Sequence, residues 1–396
     1  MYRPIAHADV HNKTVLVRAD LNVPLAEGRV TNAARLHRLA PGLLALLDRG
    51  AKVVLLSHFA RPKGKVVKEM SLAPVAAALG PILARRLDFV PDLSGAKVKQ
   101  AVRSLEPGQI VMLENLRFHP GEEANDPAFA QDLAALGDLY VNDAFSAAHR
   151  AHASTHALAK LLPAYAGDLM GAELQALESA LSTPDRPVMA VVGGAKVSTK
   201  LDLLFNLISK VEFLVVGGGM ANTFLHAQGI DIGASLHEPD LAARALEILE
   251  RAQALGCQFI LPCDAAFAPA LTQGEAAQTG DISALPHDQM ILDFGPKSVQ
   301  SILDILPTIK TLIWNGPLGA FEFPPFAKAT NALAHCVGAL TRAGDLKSVA
   351  GGGDTVAALD QAGVLGDLTY VSTAGGAFLE WMEGRELPGV AVLNPL

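Results

Sequence analysis

The amino-acid sequence predicts an α/β protein with two doubly wound parallel sheets, and three observations indicate this fold class. Short apolar runs rich in β-branched residues repeatedly end in glycine or polar residues and are followed by helical patterns. Hydrophobic residues make up 50% of the chain and aromatic residues 5%, a composition typical of compact α/β proteins. The 396 residues suffice for two domains with separate hydrophobic cores.

The two halves of the chain carry net charges of opposite sign. Residues 1–170 contain 20 Lys and Arg against 16 Asp and Glu, whereas residues 171–396 contain 12 against 24. The first half therefore suits an anionic ligand, while an anion site in the second half must depend on local amides, lysines and a metal ion. A pI of about 5.8 and the lack of basic stretches interleaved with aromatic residues argue against nucleic acid as a partner.

The sequence gives no sign of a membrane or secretory segment. No apolar run approaches the roughly 20 residues that a membrane helix needs, and residues 1–10 lack a signal-peptide core. We therefore expect a cytoplasmic protein that does not bind membranes. Cys257, Cys263 and Cys336 lack ligand-like spacing, which favours buried free thiols over disulfides or a metal site.

Four predicted strands in the first half end beside polar or basic residues. Val15–Val23 alternates so that Arg18, Asp20 and Asn22 share one face, which suits the wall of a ligand site. Open α/β sheets bind ligands at the carboxyl ends of their strands, so the pattern predicts an anion site, although each arginine alone could be a surface ion-pair partner. The other three strands and their followers are Lys52–Leu56 with His58 and Arg61, Ile110–Leu113 with Arg117, and Leu139–Val141 with Arg150.

Two helices are predicted from apolar periodicity. Thr31–Arg35 is typical of a capped helix start, and Met170–Leu181 lies where the charge balance changes, as an interdomain connector would. Their buried stripes are Leu36, Leu39, Leu43 and Leu46 or Leu47 in the first, and Leu174, Leu177 and Leu181 in the second.

The stretch Val188–Lys200 is the centre of the second half. An apolar run ends in Gly193 and Gly194, and we expect a helix to start there with Lys196 and Lys200 on one face. Glycine amides, a helix start and two lysines suit a phosphate group. The alternative is an ordinary connection with two solvated lysines, and the stretch does not match the Walker A pattern.

Glycine-rich turns follow the later strands of the second half. They predict a flat surface of glycine backbone, without side chains, at the carboxyl edge of its sheet. The strands and turns are Phe213–Val216 with Gly217–Gly219, Leu312–Trp314 with Asn315–Gly319, Lys347–Ala350 with Gly351–Gly353, and Leu368–Val371 with Gly375 and Gly376. Asp354 beside three glycines suits Mg²⁺ on a nucleotide, a helix N-cap, or both.

Two other interpretations are disfavoured. His149, His152 and His156 have zinc-like spacing, but no acidic residue lies within the run and neighbouring arginines would repel a dication. A dehydrogenase is disfavoured because Asn222 stands where a further glycine would complete the motif begun by Gly217–Gly219.

Nine ordered motifs resemble the phosphoglycerate kinase family over essentially the whole chain. Each motif is weak alone, whereas the ordered set is specific. The motifs are Arg-x-Asp-x-Asn-Val-Pro, Ser-His-x-x-Arg-Pro-Lys-Gly, Glu-Asn-Leu-Arg-Phe, Asn-Asp-Ala-Phe, Ala-His-Arg-Ala-His-Ala-Ser, Gly-Gly-Ala-Lys-Val, Gly-Gly-Gly-Met-Ala, Trp-Asn-Gly-Pro and Gly-Gly-Gly-Asp-Thr.

The resemblance implies two Rossmann-like domains joined by a helix, with a cleft between them. Residues 1–168 would bind phosphoglycerate, 169–183 would form the interdomain helix, 184–380 would bind the nucleotide, and 381–396 would return to the first domain. The implied reaction is reversible transfer of a phosphoryl group between 1,3-bisphosphoglycerate and MgADP, giving 3-phosphoglycerate and MgATP in glycolysis and gluconeogenesis. A monomer is expected.

The resemblance also implies site residues. Those expected around the phosphoglycerate are Asp20, Leu21, Asn22, Arg35, His58, Phe59, Ala60, Arg61, Arg117 and Arg150. Those expected around the nucleotide are Lys200, Gly217, Gly218, Asn315, Glu322, Gly352, Gly353, Asp354 and Thr355, with Glu322 near the ribose and Asp354 on Mg²⁺.

The expected mechanism is direct in-line transfer after domain closure, with Arg35, Lys196 and the amides of Gly353 and Gly376 compensating transition-state charge. No phosphoenzyme and no general base are expected, because a carboxylate oxygen is already a competent acceptor. The alternative is a two-lobed binding protein or sensor without turnover, which would not need Lys196, Lys200 and Asp354.

Several positions depart from the family's pattern. The substituted positions are Phe59-Ala60, Ser146-Ala147, Thr199 and Ala374. If the backbone at Ala374 needs a positive φ, alanine there costs on the order of 1 kcal/mol. No charged contact that the resemblance implies is missing.

Overall fold

A computed structural model of the protein describes residues 2–272, 274 and 276–393. It divides into two compact units. Unit 1 comprises Met1–Leu174 and Glu386–Leu396, and unit 2 comprises Gln175–Arg385. The last three residues of the predicted C-terminal segment lie outside the described residues.

Unit 1 is built on a six-stranded parallel sheet in the order β5-β6-β4-β1-β7-β8. The chain adds strands on one side of β1 first and then on the other, so the switch point lies between β1 and β7. A two-stranded hairpin, β2-β3, stands apart from this sheet. The strands are β1 Thr14–Asp20, β2 Leu25–Ala26, β3 Arg29–Val30, β4 Lys52–His58, β5 Leu87–Val90, β6 Ile110–Leu113, β7 Leu139–Asp143 and β8 Ala164–Ala166.

Unit 2 contains a second six-stranded parallel sheet, in the order β11-β10-β9-β15-β16-β17, with its switch point between β9 and β15. A separate antiparallel sheet, β13-β12-β14, was not predicted from the sequence. The strands are β9 Val188–Gly193, β10 Phe213–Gly217, β11 Gln258–Ile260, β12 Asp264–Ala268, β13 Gln278–Asp281, β14 Met290–Phe294, β15 Thr311–Asn315, β16 Lys347–Gly351 and β17 Tyr370–Ser372.

Fourteen α-helices occur among the described residues, most of them connecting consecutive parallel strands. They are α1 Ala34–Asp48, α2 Ala73–Leu83, α3 Ala96–Arg103, α4 Pro120–Glu123, α5 Pro127–Ala134, α6 Asp168–Leu177, α7 Leu201–Leu207, α8 Gly218–Ala227, α9 Ala242–Leu255, α10 Pro296–Ile305, α11 Lys328–Ala343, α12 Gly353–Gln361, α13 Gly375–Met382 and α14 Pro388–Ala391. None is both long enough and apolar enough to span a membrane.

The predicted fold class is confirmed, and the central strands show why. Both faces of β1, β4 and β9 are covered, so these strands read as nearly continuous apolar runs. The predicted stripe of α1 is buried from Leu36 to Leu47, and Asn32 Oδ1 accepts from the N–H of Ala34 at the helix start.

Two further segments affect the site. Helix α6 contains the boundary between the units, and Leu174, Leu177 and Leu181 are buried as the periodicity predicts. Helix α14 lies against unit 1, where the Gly389 N–H donates to the Ala148 carbonyl at 2.8 Å and Asn142 Nδ2 donates to the Gly389 carbonyl at 3.0 Å. The three cysteines are free thiols, but the prediction that they are buried holds only for Cys257, since Cys336 is half-buried and Cys263 is exposed.

Candidate active site

The carboxyl ends of the unit 1 strands bring several predicted residues to one edge of the sheet. In the register between β1 and β4, Asp20 lies opposite His58, and in that between β1 and β7, Ala19 lies opposite Asp143. Arg117 lies in a short 3-10 turn that follows β6. This edge includes the switch point, where open α/β sheets bind their ligands.

Asp20 is the centre of a hydrogen-bonded group at the end of β1. Its Oδ2 accepts from Arg35 Nη1 and from Ser146 Oγ, each at 2.5 Å. Its Oδ1 accepts from the backbone N–H of Asn22, and Asn22 Oδ1 accepts from the N–H of Ala60, both at 3.0 Å. Asp20 therefore fixes Arg35 and Asn22 relative to β1. Ser146, one of the positions that depart from the family's pattern, supplies one of these bonds through its hydroxyl group.

His58 is buried and neutral at the end of β4. Burial, followed by the charges of Arg18 and Arg117, lowers the pKa of His58 well below its usual value. Arg18 Nη2 lies 3.1 Å from His58 Nδ1, and because a guanidinium can only donate, Nδ1 is the acceptor. The hydrogen of the neutral ring is therefore on Nε2, which is left as a donor.

The prediction that Arg18 forms part of the wall of a ligand site is wrong, because its side chain is fully buried. Its Nε donates to Ser154 Oγ at 2.8 Å, and Nη2 lies 4.0 Å from Glu122 Oε1. Ser154 donates to both oxygens of Glu122, from Oγ at 2.6 Å and from its N–H at 3.0 Å. Arg18 thus supports His58 from beneath. Sequence reasoning gave no role to Glu122, which carries no recognisable local signal. It gave none to Ser154 either, although Ser154 is the last residue of the Ala-His-Arg-Ala-His-Ala-Ser motif.

The loop after β4 is held by Asn115 and Arg117. Asn115 pairs with the backbone of Phe59 through both its oxygen, at 3.0 Å, and its nitrogen, at 2.7 Å. Arg117 is almost fully buried and donates from Nη1 to the Ala60 carbonyl at 2.6 Å. Ala60 has φ 51°, a left-handed conformation that costs alanine on the order of 1 kcal/mol. Arg61 is exposed.

Leu21 and Arg150 are two further predicted residues of unit 1, and they lie in the segments that follow β1 and β7. Leu21 is buried, and its N–H donates to Ser57 Oγ at 3.0 Å. Arg150 is partly exposed and donates from Nε to His149 Nε2 at 3.1 Å. His156 pairs with Asn125 at 3.0 Å. The described residues contain no group of three His, Cys, Asp or Glu side chains that could hold a metal ion.

The glycine turns of unit 2 pack directly against one another. A Cβ on Gly193 would lie 1.8 Å from the Pro317 carbonyl oxygen, and one on Gly217 would lie 2.7 Å from Leu318 Cα. A Cβ on Gly316, where φ is 117°, would lie 2.2 Å from the Gly193 carbonyl oxygen. These glycines are required because neighbouring turns touch backbone to backbone. The sequence analysis explained these glycines by the close approach of a phosphate group to the backbone. The packing of neighbouring turns is a second reason why glycine is needed at these positions.

The prediction that a helix starts after Gly193 and Gly194, with Lys196 and Lys200 on one face, is wrong. Val197–Thr199 forms a 3-10 turn and α7 begins at Leu201, so Lys196 and Lys200 lie on either side of that turn. Lys196 has an extended backbone, with φ −136° and ψ 129°, and Lys200 has φ −134° and ψ 17°, so neither is helical. Hydroxyl groups compete with the helix here, since Thr199 Oγ1 donates to the Lys196 carbonyl and Ser198 binds Glu238 through Oγ and N–H. Lys196 is exposed.

Lys200 turns back into the switch point between β9 and β15. Its ammonium group donates to the Gly193 carbonyl at 2.6 Å, to the Asn315 carbonyl at 3.0 Å and to Asn315 Oδ1 at 2.6 Å. Burial lowers the pKa of Lys200 to about 8, and the nearby Asp354 carboxylate opposes that shift. Asn315 is also held from its other side, because its Nδ2 donates to the Gly351 carbonyl at 2.8 Å.

A cavity of about 260 Å³ lies beside these turns, wholly within unit 2. Gly218 and Gly219 line it, together with Glu322 and Asp354. Asp354 lies in the first turn of α12, after Gly352 with φ 100°. Thr355 is buried beneath this turn, where its Oγ1 accepts from the Gly316 N–H at 2.7 Å.

Two helix starts present exposed glycines in unit 2. Gly353 begins α12 and has open space where a side chain would be, and Gly376 lies in the first turn of α13. Ala374 precedes that helix with φ −94°, so the positive φ that would have made alanine costly does not occur.

Known proteins resemble the chain over nearly its full length. The model of the family described as phosphoglycerate kinase matches residues 5–385. A phosphoglycerate kinase from Ruegeria sp. (strain TM1040) is 59% identical over 393 residues, covering 99% of both chains. One from Agrobacterium fabrum (strain C58 / ATCC 33970) is 58% identical over 386 residues, covering 98% of this chain and 96% of the relative.

Solved structures of phosphoglycerate kinases also match. The Coxiella burnetii structure has a TM-score of 0.94 at 42% identity and covers 99% of both chains. The Pyrococcus horikoshii OT3 structure has a TM-score of 0.81 at 30% identity, covering 99% of this chain and 98% of that one. The chain therefore belongs to the phosphoglycerate kinase family, and it is a phosphotransferase with that family's glycolytic activity.

Proposed function

We propose that the carboxyl edge of the unit 1 sheet binds 3-phosphoglycerate and 1,3-bisphosphoglycerate, and that the cavity edge of unit 2 binds MgATP and MgADP. One observation carries this proposal: residues from separate strand ends, including Asp20 and His58, meet at the carboxyl edge of the unit 1 sheet, next to its switch point. The proposed phosphoglycerate contacts are Asp20, Leu21, Asn22, Arg35, His58, Phe59, Ala60, Arg61, Arg117 and Arg150.

The chemistry of these groups suits a doubly anionic substrate. Arginines supply permanent positive charge and bidentate donors for phosphate and carboxylate groups. His58 Nε2 supplies a neutral donor, which binds an oxygen without adding charge. Asp20 holds Arg35 through Oδ2, so the guanidinium is oriented before the substrate arrives.

The nucleotide is proposed to bind in unit 2 through side chains and glycine amides. Glu322 would contact the ribose, and Asp354 would hold Mg²⁺, because one protein carboxylate suffices when phosphate and water oxygens complete the shell. The ion would neutralise charge on the phosphates. The full set of proposed contacts is Lys200, Gly217, Gly218, Asn315, Glu322, Gly352, Gly353, Asp354 and Thr355.

The proposed reaction is direct in-line transfer without a phosphoenzyme. Arg35, Lys196 and the amides at Gly353 and Gly376 would compensate charge on the equatorial oxygens of the transferred group. Lys196 is suited to this role because it is exposed. Four further points stay predictions. They are closure of the domains during transfer, the segment boundaries 1–168, 169–183, 184–380 and 381–396, a monomeric state and a cytoplasmic location.

A coupled assay with 3-phosphoglycerate and MgATP tests the proposal, and calorimetric titration of each substrate accompanies it. We expect ADP formation that requires both substrates, and 3-phosphoglycerate affinity that falls at least tenfold in Arg117→Ala. Arg86→Ala is the control, since this exposed arginine pairs with Asp88 away from the site. Binding of both substrates without ADP formation would instead support the sensor.

A further inference from the structure

Asn222 lines the unit 2 cavity with one polar atom left unmatched. The side chain lies in α8 and is 1% exposed. Its Nδ2 donates to the Leu236 carbonyl at 3.1 Å, whereas its Oδ1 is buried and has no hydrogen-bond partner among the described residues. A buried acceptor left unsatisfied destabilises the protein, so a ligand that donates a hydrogen bond to this oxygen gains binding free energy.

The orientation of this amide is fixed by its neighbour. The Leu236 carbonyl can only accept, so the amide nitrogen must face it. If the amide were rotated by half a turn, Oδ1 would face the Leu236 carbonyl oxygen, so that two acceptors would oppose each other, and Nδ2 with its two donors would lie on the other side. Asn222 therefore presents an acceptor and not a donor at its second position.

The surroundings of Asn222 suit a flat heterocycle. Leu236 and Leu271 line the same cavity and are 52% and 39% exposed, although both are large apolar side chains. Gly218 and Gly219 line it without side chains. Exposed leucines and bare backbone can cover the two faces of a planar ring, and polar contacts are then needed only at its edge.

We propose that Asn222 Oδ1 accepts a hydrogen bond from the 6-amino group of adenine and thereby selects adenine nucleotides over 6-oxo purines. This inference rests on the proposed nucleotide site in unit 2. Adenine carries a donor at position 6, whereas guanine and hypoxanthine carry an oxygen acceptor there. If a 6-oxo oxygen faced Asn222 Oδ1, neither oxygen would have a donor. The preference for adenine therefore comes both from the hydrogen bond to its 6-amino group and from the mismatch with 6-oxo purines.

The test is calorimetric titration of the full chain with MgADP and with the magnesium complex of inosine diphosphate, which replaces the 6-amino group by an oxo group. The wild-type protein is expected to bind MgADP at least about tenfold more tightly. Asn222→Leu should weaken MgADP binding by about that factor and leave inosine diphosphate binding within about twofold, so that the preference disappears.

Gln289→Leu provides a matched control. Gln289 is also a buried amide with an unpartnered oxygen, Oε1, but it does not line the cavity. Its replacement should leave the ratio of the two affinities unchanged. If Asn222 only supports Leu236, Asn222→Leu will weaken both nucleotides equally, which overturns the inference.

The wild-type measurement alone also decides the question, should Asn222→Leu fail to fold. Equal affinity for the two nucleotides overturns the role of Asn222 and leaves the proposed nucleotide site intact. Binding of neither nucleotide overturns the site and the inference together.

Discussion

The ammonium group of Lys200 donates a hydrogen bond to Oδ1 of Asn315 at 2.6 Å, across the switch point of the unit 2 sheet. The same group is bound by two backbone carbonyls, and its burial brings its pKa to about 8. A cation that can lose its proton so near neutrality makes anion binding depend on pH.

Nucleotide affinity should fall as the pH rises from 7.5 to 9. Lys200 is charged below about pH 8 and neutral above it, so the dissociation constant of MgADP should rise roughly tenfold by pH 9. Lys200→Arg is the control, because a guanidinium keeps its charge over this range. Titrations at each pH should show a flat profile for Lys200→Arg, and identical slopes for both proteins would exclude Lys200 as the cause.

The same pKa affects stability with a definite sign. An unfolded lysine holds its proton up to about pH 10.4, whereas the folded chain releases it near pH 8. The unfolded state binds more protons between these values, so the contribution of Lys200 to the free energy of unfolding rises with pH through that window.

The buried group around Glu122 should be essential to the stability of unit 1. Glu122→Ala removes the carboxylate that Ser154 and Arg18 face, and leaving a buried arginine unpaired costs about 3–5 kcal/mol. Asp88→Ala, which breaks the exposed pair with Arg86, should cost less than about 1 kcal/mol. Denaturant unfolding measures both, and similar small losses would show that the buried pair is not needed.

Two alanine-to-glycine changes should have opposite effects on stability. Ala60 has φ 51°, so Ala60→Gly should relieve strain and stabilise the protein by roughly 0.5 kcal/mol. Ala374 has φ −94°, so Ala374→Gly should only add freedom to the unfolded chain and destabilise by about 0.5–1 kcal/mol. Thermal unfolding measures the two shifts, and shifts of the same sign would contradict the backbone argument.

His58 should act as a neutral donor. His58→Phe should raise the KM for 3-phosphoglycerate about tenfold, because it removes one hydrogen bond to a charged oxygen. His58→Gln places an amide donor near the position of Nε2 and should lose less. Since the pKa of His58 lies well below its usual value, the KM should show no histidine titration between pH 6 and 8. A titration that disappears in His58→Gln would show that the ring is charged when it binds.

Much of the fold was predictable because its signals are local. Parallel strands buried on both faces produce apolar runs, and the residues after each run reach one sheet edge whatever the rest of the chain does. This is why Asp20, His58 and Arg117 could be placed together. Strands β12 and β13 gave no such signal, since Asp264–Ala268 is mostly alanine and Gln278–Asp281 is polar.

The rest of the site depends on contacts between residues far apart in the sequence. Alternation placed Arg18 on a polar face, but that side chain is buried against residues distant in the sequence, including Ser154, 136 residues away, and Glu122. Four-residue spacing placed Lys196 and Lys200 on one helix face, but Glu238 and local hydroxyls stabilise a 3-10 turn instead. The free oxygen of Asn222 follows from the position of the Leu236 carbonyl, which periodicity does not indicate.

The most direct test of the account is the turnover of Arg35→Met, measured with 3-phosphoglycerate and MgATP alongside the dissociation constant of MgADP. Removing one preorganised donor to the transition state costs about 3–4 kcal/mol, so kcat should fall by a factor of about 100 to 1,000. The MgADP dissociation constant should change less than about twofold, because Arg35 belongs to unit 1 and the proposed nucleotide contacts to unit 2. Near-normal turnover in a folded Arg35→Met protein would contradict the proposed mechanism.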